Sequence, residues 1–370
     1  MKKIVFSVQL FLVLITSAQP TSERLQFKLD SLRVAGNYPG LSLAIIDKDG
    51  RSMRFVSGFS DVEKQTALSA KNLLMQGSVG KTYVAAIAIM LIKNGKLDPD
   101  KKVSAYLGHH DWYSRIPNAS SITIRQIMNH TSGVMRYEFK PDFINDLNAM
   151  PAKAWKPEEL LRYVLDEKAS FAAGEGWEYS DTNYILLGMI IEQLTGKKYY
   201  ELLREKILEP YKLVNTEPTD KILLPGITQG YAGKDNEFNL KEKVINDDGS
   251  FVINPQFEWS GGGIYSTTGD LAKWGKLLYE GKVIDTALML KDAVAAKLGR
   301  DVKYGLGVII RPTQQGISYG HSGFFPGYLT ELFYFPGKRL CIALQSNSSD
   351  FKNLKIGLQR ILMEIAREFN

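Results

Sequence analysis

Strand-like and helix-like patterns are unevenly distributed along this chain, and that distribution constrains the fold more than any other feature. Near the start, LSLAIID (41–47), the turn DKDG (47–50) and RSMRFVSGF (51–59) read as a hairpin, with Gly50 supplying the positive φ of the turn. From about residue 303 strand periods return: KYGLGVII, GISYGHSG, GYLTELFYFP and KRLCIALQ are joined by Gly- and Pro-rich turns. Between these ends the chain is mostly helical. Residues 78–95 read as an apolar helix closed by Gly95, and TNYILLGMIIEQLTG (182–196) is apolar nearly all round, the mark of a buried helix ending at Gly196. Residues 22–36 carry Leu25, Leu29 and Leu32 at helical spacing, with Gly36 as the stop. Residues 351–366 place Leu354, Leu358, Ile361, Leu362 and Ile365 on one face. This order implies an α/β (α+β) fold: an antiparallel sheet built from both chain ends, flanked by helices, with a mostly helical domain inserted. The expected division is residues 19–97 and 216–370 for the sheet domain and 98–215 for the helical domain.

The first residues read differently. Lys2 and Lys3 precede a 12-residue apolar run, IVFSVQLFLVLI, and Thr16 and Ala18 are small residues at −3 and −1 of a cleavage site. Residues 1–18 are therefore expected to be a signal peptide cleaved after Ala18, sending the protein to the periplasm or the medium. The run falls short of the roughly 20 residues a membrane-spanning helix needs, and no other stretch reaches that length, so no stable membrane span is expected. A retained signal-anchor is the other reading of the same run. The formal net charge is +6, with Lys2 and Lys3 contributing two of those charges. The remaining basic residues alternate with acidic ones, as on a solvated surface, and form no basic stripe with interleaved aromatics, so no nucleic-acid partner is expected. Cys341 is the single cysteine, in the apolar setting LCIALQ of an inert buried thiol. The four histidines, His109, His110, His130 and His321, show no metal-ligand spacing, and neither a metal nor an organic cofactor is expected.

The chemistry concentrates in QGSVGKTY (76–83). Its Gly-Lys-Thr ending resembles a phosphate-binding loop, but that loop needs Gly at position 75, where Met75 stands, and LSAKNLL before it makes a poor central strand. The alternative is Ser78-x-x-Lys81 at the start of a helix. Residues three apart share a helix face, so Lys81 can reach the Ser78 hydroxyl. Free N–H groups at the helix N-terminus favour developing negative charge, and a neutral amine can take the serine proton. Taken alone, a motif this short reads better as a serine that caps a helix beside a solvated lysine. Two more segments raise its weight: Tyr179-Ser180-Asp181 just ahead of the buried helix, and His321-Ser322-Gly323 among the strands.

In this order the three motifs resemble the serine β-lactamase-like family: class C β-lactamases, the related D-Ala-D-Ala peptidases and the family's esterases. ITIRQIMNHTSGV (122–134), SGGGIYSTTGDLAKW (260–274) and YGLGV (304–308) match its patterns too, and the resemblance runs from about Leu25 to Ile365. It implies that Ser78 is the nucleophile of an acyl-enzyme and Lys81 its base partner. Tyr179 would relay a proton to the leaving group. Either Lys81 or Tyr179 can be the base. His321 stands where the family commonly has Lys and would orient the substrate carboxylate and the tyrosine. Main-chain N–H groups of Ser78 and Phe324 would form the oxyanion hole, and Gly323 would let substrate lie close to the strand. Asp181 departs from the usual Asn. An ionised Asp only accepts hydrogen bonds: it can pair with Lys81, or receive a substrate ammonium, which would favour amine-bearing substrates or simple esters over β-lactams.

Other motifs read blandly. His130 in NHTSG is a structural histidine at a turn, SGGG (260–263) is a close-packed wall, and NAS at Asn118 is a sequon common by chance. GHSGF places Phe324 where the nucleophile elbow of an α/β-hydrolase needs Gly. The expectation is an exported serine hydrolase acting on small amides or esters such as D-amino-acid peptides, β-lactams or carboxylic esters, its partner a small-molecule or peptide substrate. The rival is a non-catalytic penicillin-binding-like module on the same fold. Oligomeric state leaves no mark in the sequence.

Overall fold

The structure, a computed structural model, describes residues 21–369; the expected signal peptide, 1–18, lies outside them. In chain order the strands are β1 (Gly40–Ile46), β2 (Ser52–Asp61), β3 (Thr66–Ala67), β4 (Leu74–Met75), β5 (Thr216–Pro218), β6 (Ile264–Ser266), β7 (Val294–Ala295), β8 (Lys303–Tyr304), β9 (Ile309–Thr313), β10 (Gly316–Phe325), β11 (Tyr328–Phe335) and β12 (Leu340–Ser346). Nine of them form one antiparallel sheet in the order β3-β2-β1-β12-β11-β10-β9-β8-β7, and β4-β6-β5 form a small second sheet. The pairing of β1 with β12, Leu41 opposite Ser346 and Ile46 opposite Cys341, joins the two ends of the chain. Residues 98–215 contribute helices and turns and none of the twelve strands.

Side chains alternate across β1, β11 and β12, so each face of the central sheet acquires its own core. On one face Leu43, Ile45, Ile342 and Leu344 pack against Leu25 and Leu29 of helix Ser22–Gly36 and Ile361 and Ile365 of helix Leu358–Ala366. On the other, Ala44, Leu332, Cys341 and Ala343 join Leu271, Trp274 and Leu278 of helix Thr268–Tyr279. Gly275 permits that approach: a Cβ there would stand 2.6 Å from Leu332 Cδ1 and 2.9 Å from Cys341 Sγ. Cys341 is fully buried, and burial pushes its thiol well up.

The same helix anchors the one that carries Lys81. Tyr83 stacks on Trp274 at 4.2 Å and 8°, and Trp274 Nε1 donates to Thr82 Oγ1 at 2.8 Å. Helix Asp181–Thr195, capped by Gly196 at φ 67°, buries Leu186 and Ile190 in this core.

Three expected elements shift. The last helix begins at Leu358 rather than 351, because the Asp350 carbonyl accepts from the main chain of Asn353 and Leu354 and closes a turn there; Leu354 still packs on the core. KYGLGVII splits into β8 and β9 where Gly307 turns at φ 77° against Ala85 of the Lys81–Lys93 helix. The first helix includes Gly36, and Asn37 at φ 60° is its left-handed cap. Among the described residues no helix is long and apolar enough to cross a membrane.

Candidate active site

After β4 the chain turns sharply at Gly77, φ 51°, and runs through a 3-10 turn, Gly77–Gly80, into helix Lys81–Lys93. Ser78 thus sits one turn ahead of the α-helix, half-buried, with Lys81 as the first helical residue. Three glycine contacts fix the turn. A Cβ on Gly323 would collide with the Gln76 carbonyl oxygen, one on Gly77 with the Phe324 main chain, and one on Gly80 would stand 2.7 Å from the Gly262 oxygen. The nucleophile turn is therefore held main chain to main chain between β10 and the 260–263 segment, and SGGG is the close-packed wall expected.

Lys81 is fully buried. Its Nζ donates to Ser78 Oγ at 3.1 Å, to Asp181 Oδ1 and to the Gly261 carbonyl. Three acceptors match the three donors of an ammonium. Of the two expectations for Asp181, the structure shows the pairing with Lys81. The other carboxylate oxygen, Oδ2, accepts from Arg136 Nη2 at 3.3 Å. Burial alone would raise the Asp181 carboxyl, but Lys81, then Glu138 and Arg136, hold it well below the usual range. Asp181 also opens helix Asp181–Thr195, where the macrodipole favours an anion.

Tyr179 lies against these cations, Lys81 Nζ 5.0 Å and Arg136 Cζ 5.4 Å from its ring centre. Its hydroxyl is buried and faces Ser78. Burial, then the charge of Asp181, pushes the phenol well above its ordinary value, so proton loss from it is costly in this arrangement. The ring rests on His130, 4.3 Å away at 37°. His130 is at a turn, φ 64°, and its Nδ1 accepts from the Ser180 main-chain N–H at 3.2 Å. Its other nitrogen is buried and unpartnered, so it is a structural histidine only partly satisfied.

His321 is on β10 but 1% exposed. Nδ1 donates to the Ser322 carbonyl at 2.6 Å, which leaves Nε2 to accept from Tyr304 Oη at 2.8 Å. Burial and then the Lys81 charge bring its pKa down to about 3. The ring centre lies 6.0 Å from that of Tyr179. Both nitrogens are thus committed to Ser322 and Tyr304 rather than to the Tyr179 hydroxyl. Phe324, which follows Gly323 on the same strand, is stacked between Phe238 at 6.2 Å and Phe351 at 5.7 Å.

Three residues of the site escaped the sequence reading. Arg136 Nε donates to Glu138 Oε1 at 2.6 Å, and the Glu138 carboxyl, 4% exposed, also faces the Asp181 carboxylate. Burial, then the Asp181 charge, raises Glu138 well above the usual carboxyl range. Glu258, beside Gly262, is raised to about 8 by burial and then by Asp181. Next to it Trp259 adopts φ 34°, rare for an aromatic residue. In MRYEF and QFEW nothing distinguishes these charges from solvated ones; only folding buries them.

Comparisons with known proteins bear on the family and the fold. The family model described as Beta-lactamase matches residues 25–362. A penicillin-binding protein of Bacillus subtilis (strain 168) is 26% identical over 304 residues, 79% of this chain and 64% of that protein. Protein flp of Staphylococcus aureus (strain MW2) is 26% identical over 181 residues, 49% of this chain and 35% of that one. The chain thus spans less than two thirds of the length of these relatives. Among solved structures, a D-stereospecific amidohydrolase from Streptomyces sp. superposes with a TM-score of 0.79 at 24% identity, covering 93% of this chain and 98% of that one. The D-amino acid amidase from Ochrobactrum anthropi SV3, complexed with L-phenylalanine amide, gives 0.78 at 24% identity over 93% and 97%. These two share the fold.

Proposed function

This chain belongs to the beta-lactamase family, and on that premise we propose that it is a serine hydrolase working through an acyl-enzyme on Ser78. The observation that carries the reading is the 3.1 Å contact from the fully buried Lys81 Nζ to Ser78 Oγ. A lysine with no exposure to solvent is costly to bury, and one aimed at a serine at the mouth of a helix has a use that accounts for the cost.

Ser78 Oγ attacks the substrate carbonyl, and its proton passes to the Lys81–Tyr179 pair. The oxyanion is met by the main-chain N–H groups of Ser78 and Phe324; the packing of Phe324 against Gly77 supports that role. As the tetrahedral intermediate collapses, the bond to the leaving group breaks and the leaving atom takes the proton from the same pair. Tyr179, which faces both Ser78 and Lys81, relays this proton, taking one from Lys81 as it gives up its own, so that the phenol is never left ionised. Water then attacks the acyl-enzyme and restores Ser78.

The substrate is a small amide or ester, and among these a D-amino-acid amide or peptide is the class we favour. The support is the shared fold with a D-stereospecific amidohydrolase and a D-amino acid amidase, and the relation to penicillin-binding proteins. Export to the periplasm or medium completes the reading, supported by the basic start and apolar run of residues 1–18.

Intact mass tests it. The mature protein is incubated with a fluorophosphonate and separately with a penicillin, alongside Ser78→Ala. A fluorophosphonate adduct on wild type and none on the variant is the expected result, and a penicillin adduct would add weight to the wall-peptide branch. A folded protein that gains mass from neither reagent is a binding module, and the hydrolase reading fails.

A further inference from the structure

Asp181 replaces the neutral Asn that the resemblance leads one to expect, and it sets a full negative charge against Lys81. Alone, such a charge holds a proton on the lysine and opposes its use as a base. The structure contains a counterweight. Arg136 takes the outer oxygen of the same carboxylate at 3.3 Å, while Lys81 takes the inner one, so one anion is divided between two cations. Glu138 holds Arg136 in place by accepting from its Nε at 2.6 Å, and its own buried carboxyl, which meets the Asp181 carboxylate, is raised well above the usual range. Phe139 covers the guanidinium at 4.3 Å.

We propose that Arg136 is a positioning residue acting through Asp181: by sharing that carboxylate it keeps Lys81 able to give up a proton to become the base for Ser78. This rests on the serine-hydrolase reading of the site. The other groups that face Lys81 are Glu258, Tyr179, Tyr184, His130 and His321. The two histidines are held neutral by burial, and Tyr179 is held as the phenol, so within this set Arg136 is the cation that opposes Asp181's hold on Lys81. Glu258, at about 8, carries little charge near neutral pH and adds to that hold as pH rises.

Removing Arg136 leaves the whole Asp181 charge on Lys81. The acidic limb of the kcat/KM profile then moves to higher pH, and a shift of about one unit is a roughly tenfold loss at any pH on that limb. Removing Asp181 as well takes away the charge that caused the loss.

The experiment is a double-mutant cycle of Arg136→Gln and Asp181→Asn, with Arg136→Lys as the conservative variant. It reads p-nitrophenyl ester turnover against pH, with wild type and Ser78→Ala as references. The expected result is a roughly tenfold loss in Arg136→Gln with the limb moved upward, partial recovery in Arg136→Lys, and higher activity in the double variant than in Arg136→Gln. That reversal distinguishes the proposal from a loss of packing, where the second substitution can only add damage. An unmoved limb in Arg136→Gln, or a double variant worse than it, overturns the proposal while Ser78-dependent turnover of wild type upholds the hydrolase reading. Absence of that turnover in wild type overturns the hydrolase reading, and the role of Arg136 falls with it.

Discussion

Gly262→Ala isolates the main-chain packing that sets the nucleophile. A Cβ at this position would stand 2.7 Å from both the carbonyl carbon and oxygen of Gly77, the residue before Ser78. Ordinary contact begins at 3.4 Å, so the two segments must part by about 0.7 Å, and neither partner is a side chain that can swing aside. The Glu258 Oε2 that the methyl would also meet, at 2.5 Å, is the end of a flexible side chain and can move. The displacement falls on the turn that carries Ser78 and, one residue away, on the Gly261 carbonyl that accepts from Lys81. A 1 Å misplacement of reacting groups costs about a hundredfold in rate, so 0.7 Å here is expected to lower kcat/KM by about ten- to a hundredfold. Overpacking of one methyl costs about 1–3 kcal/mol, which in a chain of this size lowers Tm by a few degrees and leaves the protein folded. Gly337→Ala, where an added Cβ meets nothing within 4 Å, is the control. The assay is p-nitrophenyl ester turnover with Tm by differential scanning fluorimetry. Turnover within about threefold of wild type in Gly262→Ala would refute the reasoning, because it would mean that the turn parts from its wall without disturbing Ser78 and Lys81.

Three other outcomes follow from the same environments. His321 titrates at about 3 folded against 6.5 unfolded; its folded value is depressed, so the unfolded chain takes up the proton first and stability is lost as pH falls from 6.5 toward 3. Between about pH 6.5 and 5 that is about 2 kcal/mol for one such group, so Tm should fall across this range and His321→Asn should flatten the fall; an equal slope in the variant refutes it. Glu258 is the opposite case, raised to about 8: the folded state keeps its proton where the unfolded state has lost it, so its contribution is full at low pH and is lost as pH rises to 8. Glu258→Gln, which stays neutral, should therefore melt above wild type at about pH 8 and near it at about pH 4, measured by the same melts. Cys341, with no exposure and a thiol pushed up by burial, should ignore a thiol reagent such as DTNB in the native protein and react fully in denaturant; rapid native labelling would show that the sheet and helix Thr268–Tyr279 part readily.

The sequence by itself determined the architecture and the inner pair of the site. Period-two runs at both ends and apolar helical runs between them lead to one sheet from two chain ends, because each pattern has one way to bury its apolar side. β1 beside β12 is the direct result. The Ser78–Lys81 contact was legible too, since a spacing of three residues at a helix entry brings the two side chains together, though the packing of the turn against β10 and residues 260–263 was not. What the tertiary structure alone decided is the electrostatics. Whether Asp181 meets Lys81 or a substrate depends on residues 100 positions apart. Arg136, Glu138 and Glu258 resemble surface charges in sequence, and His321 resembles a substrate contact, until packing removes the solvent and commits its nitrogens to Tyr304 and Ser322. Periodicity reports which face of an element is buried; it does not report which charges are buried together, and in an interior of low dielectric that proximity sets the protonation on which the chemistry depends.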